Sequence, residues 1–217
     1  MIKRLRFLFL IFICSIFLFG CTYHGSLRND FHTVDKSKTK LPLKACLIYD
    51  SNVVDKFHYK TASYSWHTVD ISFQPAFQQA TVNTFDSLFE NLYVSSHIDQ
   101  QKCQNADIII FPTIEIRGEY TFYMSMLIKD FRTDEVLQKY ESSGDISWTA
   151  PTSVHILGTI NICSGFLFSP IILPAEADIL GKAVQEALEM RVSSCLDRIA
   201  NDIRNDRLLV KKAKKVN

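Results

Sequence analysis

From Ala106 to Trp148 the hydrophobic period of the chain is two, and no other stretch limits the fold as tightly. Ile108, Ile110, Pro112, Ile114 and Ile116 share one parity, and Phe122, Met124, Met126 and Ile128 share a face of the next segment. Successive side chains leave a strand on opposite faces, so alternation of this kind predicts half-buried strands. Two long strands joined near Gly118 are expected. The polar run Phe131-Arg132-Thr133-Asp134-Glu135 predicts a turn into a third strand, from Val136 to Ser147, running back antiparallel. The three form a meander with an apolar face to cover.

Two helical stripes can cover it. Phe77, Ala80, Thr84, Phe85, Leu88, Phe89 and Leu92 recur at three- and four-residue spacing behind Pro75, predicting a helix from about 75 to 95. Leu180, Val184, Leu188, Val192, Cys195, Ile199 and Ile203 predict another from about Ala175 to Arg204, with Glu176 and Asp178 in its first turn, where acidic groups favour the helix dipole. Shorter strands are expected at Leu43–Tyr49 and His67–Phe73. The expected class is α+β: a mainly antiparallel five-stranded sheet with two long helices on one face, in a single domain over 42–207.

The amino terminus adds a different constraint. Lys3, Arg4 and Arg6 precede thirteen almost wholly apolar residues, Phe7 to Phe19, too short to span a bilayer of ~30 Å comfortably. The stretch ends Leu18-Phe19-Gly20-Cys21, which resembles the bacterial lipobox, although Phe19 stands where a smaller residue is preferred. The resemblance implies a signal peptide over 1–20, cleavage between Gly20 and Cys21, and acyl chains on Cys21, of which two or more hold a protein stably to a membrane. It also implies the outer membrane, facing the periplasm, because Thr22 stands where inner-membrane retention usually needs Asp. Residues 21–41 are polar and read as a flexible tether.

The whole chain has 24 basic and 23 acidic residues, three of the basic ones in the signal. That balance predicts no nucleic-acid partner. The basic tail 208–217, with Lys211, Lys212, Lys214 and Lys215, reads as a frayed terminus or a contact for anionic headgroups. In an oxidising periplasm Cys46, Cys103, Cys163 and Cys195 permit two disulfides, with Cys46–Cys103 and Cys163–Cys195 preferred and buried free thiols the alternative. No CxxC pair and no histidines three or four apart are present, so neither a metal nor a cofactor is expected.

The strand Ala-Asp-Ile-Ile-Ile-Phe-Pro at 106–112 and the turn Lys-Asp-Phe-Arg-Thr-Asp-Glu-Val-Leu at 129–137, behind the lipobox, resemble periplasmic lipoproteins of the curli-secretion-channel and TolB amino-terminal-domain type. Asp134 departs from the glycine usual in that family's hairpin. The resemblance implies fold more than function.

Val154 to Pro174 contains no formally charged residue apart from titratable His155. Three readings stay open for it: a buried hairpin or helix, a membrane-dipping or partner-binding patch, and a transmembrane span broken by Gly158, Gly165 and Pro170. Ile156, Leu157, Phe166, Leu167, Phe168, Ile171 and Ile172 are the candidate contact residues for a partner or lipid. His58, Tyr59, Tyr64, Trp66, His67 and Asp70 form a second, polar-aromatic cluster that finishes a core or stacks on a sugar or peptide. The seven glycines are dispersed, and no GxSxG, HExxH or EF-hand pattern occurs. The chain therefore reads as a non-enzymatic accessory, assembly or scaffold factor of the envelope, working through an envelope protein partner or a second copy. The alternative is lipid or glycan binding by 154–174.

Overall fold

The computed structural model describes residues 21–216 apart from 36, 50–55, 61–66, 96–99, 119, 165 and 166. The signal segment with Gly20, and Tyr64, Trp66 and Phe166, lie outside the described residues. The chain divides into two compact units, one of residues 21–25, 56–72 and 148–186, the other of 26–55, 73–147 and 187–216.

The α+β expectation holds, but in place of one mainly antiparallel five-stranded sheet there are two sheets. In the first unit β1 (Thr22–Ser26), β3 (Lys56–Lys60) and β4 (Thr68–Ser72) form a three-stranded sheet in the order β1-β4-β3. In the second, β2 (Leu41–Ile48), β5 (Phe89–Ser95), β6 (Ile108–Arg117), β7 (Thr121–Asp130) and β8 (Val136–Asp145) take the order β5-β2-β6-β7-β8. This sheet is mixed, because β2 runs parallel to both β5 and β6 while β6, β7 and β8 are antiparallel.

The meander follows the predicted alternation. Ile110 faces Ile128 and Ile114 faces Met124 across β6 and β7, and all four are fully buried. β2 pairs with β6 only as far as Ile110, so Pro112 falls where β6 has an open side and a missing N–H is tolerated. The opposite face of the sheet is closed by Ile48, Ala106 and Ile109 around a Cys46–Cys103 disulfide whose Cα atoms are 5.6 Å apart. Cys103 ends α2, the single helical turn Gln100–Cys103.

The helix read as 75–95 stops early: α1 is Ala76–Asp86, and Phe89–Ser95 is strand β5. Phe77, Ala80, Thr84 and Phe85 form its buried stripe. Beyond Ser87 the apolar spacing continues by coincidence, and the free side of β2 takes Phe89, Tyr93 and Val94, residues that favour strands. The second stripe is α4, Ser169–Asn205, which starts ahead of the predicted Ala175 because Pro170 lies in its first turn, where proline is tolerated. Glu176 is therefore not in the first turn; it is buried against His67, Nε2 to Oε2 3.4 Å.

The stretch 21–41 is not a free tether. Thr22–Ser26 is β1, Leu27 is buried, and the buried carboxylate of Glu189 accepts from the backbone N–H, Nε and Nη2 of Arg28 at 2.7–2.8 Å. Buried His32 lies between Ser193 Oγ, 2.8 Å from Nδ1, and Thr84 Oγ1, 3.0 Å from Nε2. Thr84 donates to the Ala80 carbonyl, so it accepts from His32 and fixes a proton on Nε2. Burial holds the His32 pKa below its usual value, against the pull of Asp197. Polar composition hid these contacts, since each polar group is matched by one on α1 or α4.

Nor is the tail frayed. Arg207–Val216 is helix α5, with Leu209 and Ala213 buried and Lys212 donating to Asp130.

Candidate functional site

The uncharged segment folds as a helical hairpin within the first unit. α3, Thr152–Cys163, is followed by a turn and then by the start of α4. Its helices touch through small and polar groups. The Ser169 hydroxyl donates to Asn161 Oδ1 at 2.8 Å, and a methyl group added at Gly158 would lie 3.4 Å from Glu176 Oε1. Asn161, Ser169 and Glu176 are buried.

The large apolar side chains point the other way. Leu167 is 76% exposed and Ile171 73%, and Ile156, Ile160, Ile162 and Phe168 are all about half exposed. Of the predicted contact residues, Leu157 is half-buried and Ile172 buried. The hairpin buries Asn161, Ser169 and Glu176 together with Ile172, while most of its large apolar side chains lie outside. The reading of a buried hairpin is overturned by this exposure. Among the described residues no helix is long and apolar enough to cross a membrane.

Cys21 belongs to the same unit and adjoins the hairpin. Its carbonyl accepts from the Thr68 N–H at 3.1 Å, one residue from His67, which reaches Glu176. As a free thiol its pKa is raised, by burial first and then by the Glu176 carboxylate. Two residues on, Tyr23 lies on Gly181 of α4, where an added Cβ would come within 2.0–2.4 Å of its ring, and its hydroxyl donates to Gln185 at 2.7 Å. The residue that carries the lipobox resemblance thus stands immediately before an ordered strand, held by the Thr68 N–H and by Tyr23 against a helical glycine. The lone Tyr23 in a polar stretch gave little signal of this.

The expected Cys163–Cys195 disulfide is not formed: Cys163 is an exposed thiol at the end of α3 and Cys195 a buried one. Cys195 lies on the apolar stripe of α4 and packs as a small hydrophobe there.

The polar-aromatic cluster is divided by strand alternation. His58 pairs with Asp70 across β3 and β4, Nδ1 to Oδ1 2.5 Å, and His24 approaches the other Asp70 oxygen at 3.6 Å on the exposed face. Tyr59 is buried on the opposite face with Phe57, its ring edge-on to Trp148. His24 was missing from the sequence reading, though the parity Thr22-x-His24-x-Ser26 places it outward with Asp70. In the second unit, a hollow of about 380 Å³ is lined by Leu137, Leu208, Leu209, Lys211 and Lys212.

The sequence matches no family model and no curated protein. Among solved structures the chain is similar to a protein of the DUF330 family from Xanthomonas campestris, at 8% identity over 90% of this chain and 99% of that one, with a TM-score of 0.47. It is similar to PelC from Paraburkholderia phytofirmans, a dodecamer, at 9% identity over 70% and 94% of the two chains, TM-score 0.34. It is also similar to lipoprotein GNA1162 from Neisseria meningitidis, at 10% identity over 58% and 99%, TM-score 0.27. Likenesses at these values place the chain in no family.

Proposed function

We propose that this chain is a non-enzymatic accessory or scaffold protein of the bacterial envelope, held by acyl chains on Cys21 and acting by binding another envelope protein or a second copy of itself. The observation that carries the reading is the display of uncharged apolar helix in the same unit as Cys21, since a contiguous surface of this kind is covered in the working state. The strongest buried polar contacts support it, because they join segments of the fold: Glu189 fixes Arg28, and His32 ties Ser193 to Thr84.

In its native host the mature protein is expected to start at Cys21 and to carry the mass of its acyl chains. Photo-crosslinking groups at Leu167 and Ile171, exposed on the hairpin, are expected to capture an envelope protein or a second copy. Failure of both positions to yield a protein adduct in lipidated, membrane-bound protein would remove the scaffold reading.

The second reading, contact of the hairpin with lipid, is favoured by the position of Cys21 beside Glu176.

A further inference from the structure

We infer that the hollow between α5 and the start of β8 is a binding site for a single-chain anionic amphiphile of the fatty-acid class, its acyl chain on Leu137, Leu208 and Leu209 and its carboxylate on Lys211. The inference goes beyond the preceding reading. It lies wholly in the second unit and needs neither the hairpin nor acylation of Cys21.

The hollow is held open by polar clamps on α5. Asp206, just ahead of the helix, accepts the N–H groups of Leu208 and Leu209 on one carboxylate oxygen, at 2.6 and 3.2 Å. Its other oxygen accepts from the hydroxyl of buried Tyr140 on β8 at 2.7 Å. Further along, Lys212 donates to Asp130 at the end of β7. These bonds fix where α5 stands against the sheet, and the leucines between them do not close together: Leu137 is half-buried and Leu208 is 61% exposed.

The strand side is shaped for the same place. Ile128 faces Gln138 and Lys129 faces Val136, so Leu137 is the extra residue of a bulge between β7 and β8. A bulge turns one side chain out of the strand's alternation, and bulges collect beside functional sites. The side chain turned here is the one that lines the hollow.

The lining selects its ligand by what it lacks. Its side chains are three leucines and two lysines, hydrocarbon and hydrogen-bond donors with no acceptor among them. A sugar or peptide would bury donors that meet no side-chain acceptor, at a loss of about tenfold in affinity for each. An acyl chain has no donor, and a carboxylate only accepts. Charge points to a single head group: Lys212 is matched by Asp130, whereas Lys211 is exposed and has no carboxylate partner among the described residues. The volume of about 380 Å³ lies at the low end of the roughly 300–1,000 Å³ of small-molecule sites, which suits one chain rather than the two of a phospholipid. A bilayer surface is a poorer match. α5 already buries Leu209 and Ala213 in the protein, so the apolar face by which an interfacial helix enters a membrane is taken.

The test titrates the mature chain, residues 21–217, by calorimetry, with Cys21→Ser so that no acyl chain of its own competes. One-to-one binding of dodecanoate is expected, with affinity rising about fourfold per methylene from octanoate. Dodecanol, which has the same chain and no charge, is expected to bind at least about tenfold more weakly. Lys211→Glu and Leu208→Asp are each expected to weaken dodecanoate by about tenfold or more. Both positions are exposed, so neither change disturbs the core. In the lipidated full chain in its native membrane, a fatty acid carrying a diazirine is expected to label Leu137 or the segment Leu208 to Lys212.

Equal binding of dodecanoate and dodecanol, or dodecanoate binding unchanged in both variants, overturns the inference. A diazirine adduct confined to 154–174 overturns it too. Binding to phosphatidylglycerol vesicles that Lys211→Glu abolishes, with none to dodecanoate, likewise overturns it and gives the basic face of α5 to the membrane surface. None of these outcomes alters the protein-binding reading, which the hairpin crosslinks test by themselves.

Discussion

The β6–β7–β8 meander and the α3–α4 hairpin are built on opposite rules. In the β6–β7–β8 meander, Ile114, Met124, Met126 and Ile128 are fully buried, and the strand ends and turns carry Arg117, Asp130 and Asp134. In the α3–α4 hairpin the middle holds Asn161, Ser169 and Glu176, and the surface shows Ile160, Leu167 and Ile171. Both segments are rich in isoleucine. Apolar content alone therefore does not decide burial. A strand has two faces, so period-two alternation sorts side chains unambiguously. A helix that is apolar all round offers more hydrocarbon than one neighbour can cover.

The most direct way to break the comparison is to place one charge in each hairpin. Met124→Asp puts a carboxylate into a fully buried position on β7 and is expected to cost more than about 4 kcal/mol, enough to leave a marginal domain unfolded. Ile171→Asp stands at an exposed position and is expected to change stability by less than about 0.5 kcal/mol. Urea denaturation of the two variants measures the difference. Equal losses would mean that the apolar face of the hairpin is covered within the chain.

A smaller effect tests how the hairpin is joined to the strand of Cys21. Alanine in a helix is ordinarily better than glycine by about 1 kcal/mol. At Gly181 the sign should reverse, because a Cβ would fall 2.0–2.4 Å from ring atoms of Tyr23, and the expected loss is about 2 kcal/mol. Tyr23→Ala should cancel most of that loss in a double-mutant cycle. Gly144 on β8 is the meander's counterpart. An added Cβ there meets the guanidinium of Arg191, the end of a flexible side chain, so Gly144→Ala should stay within about 0.5 kcal/mol.

The same contrast separates what could be read from the sequence from what could not. The meander was legible residue by residue, because thirty residues of alternation leave one register. The stripe on α1 was legible too, but not its end, since Leu88, Phe89 and Leu92 keep a helical spacing while Phe89 and Leu92 pair with β2. β1 and β3 are five residues each. β3 alternates Phe57 and Tyr59 with lysines and histidine, whereas β1 has Tyr23 alone and depends on Gly181, 158 positions away. For the candidate site, Cys21 and the apolar run were each visible. Their adjacency was not, and neither was the inversion, because which face of an all-apolar helix turns inward is decided by its few polar residues finding partners. The failed Cys163–Cys195 pairing has the same origin: chemistry permits the bond, and helix phase puts one thiol outside and the other in a core.

Acid should separate the hairpins again. Burial pushes the Asp130 carboxyl up, but the bond from Lys212 and the backbone N–H groups of Arg132 and Thr133 outweigh it and hold the pKa below 3.8. A carboxylate depressed in the fold stabilises fully above its unfolded value, and that contribution fades as pH falls from 3.8 through the lower folded value. Denaturation midpoints of the wild type and Asp130→Asn should therefore differ at pH 6 and draw together as the pH falls below 3.8. The corresponding turn of the helical hairpin holds no carboxylate, so Leu167→Ser should show no such convergence.

The smallest effect concerns the turn of the meander itself. Asp134 has a φ of +56°, in the left-handed region that costs an ordinary L-residue roughly 1–2 kcal/mol and glycine nothing. Aspartate tolerates the region better than most residues, and here its carboxylate also accepts from Lys129 Nζ at 3.0 Å. That pair is exposed on the Asp134 side and contributes about 0–1 kcal/mol. Asp134→Gly therefore exchanges a weak ion pair for relief of backbone strain and should raise stability by about 0.5 kcal/mol, read as a small rise in denaturation midpoint. Raising ionic strength screens the ion pair and should widen the gap in favour of glycine. A variant that is instead destabilised, and less so at high salt, would show that the Lys129 contact rather than backbone conformation sets this turn.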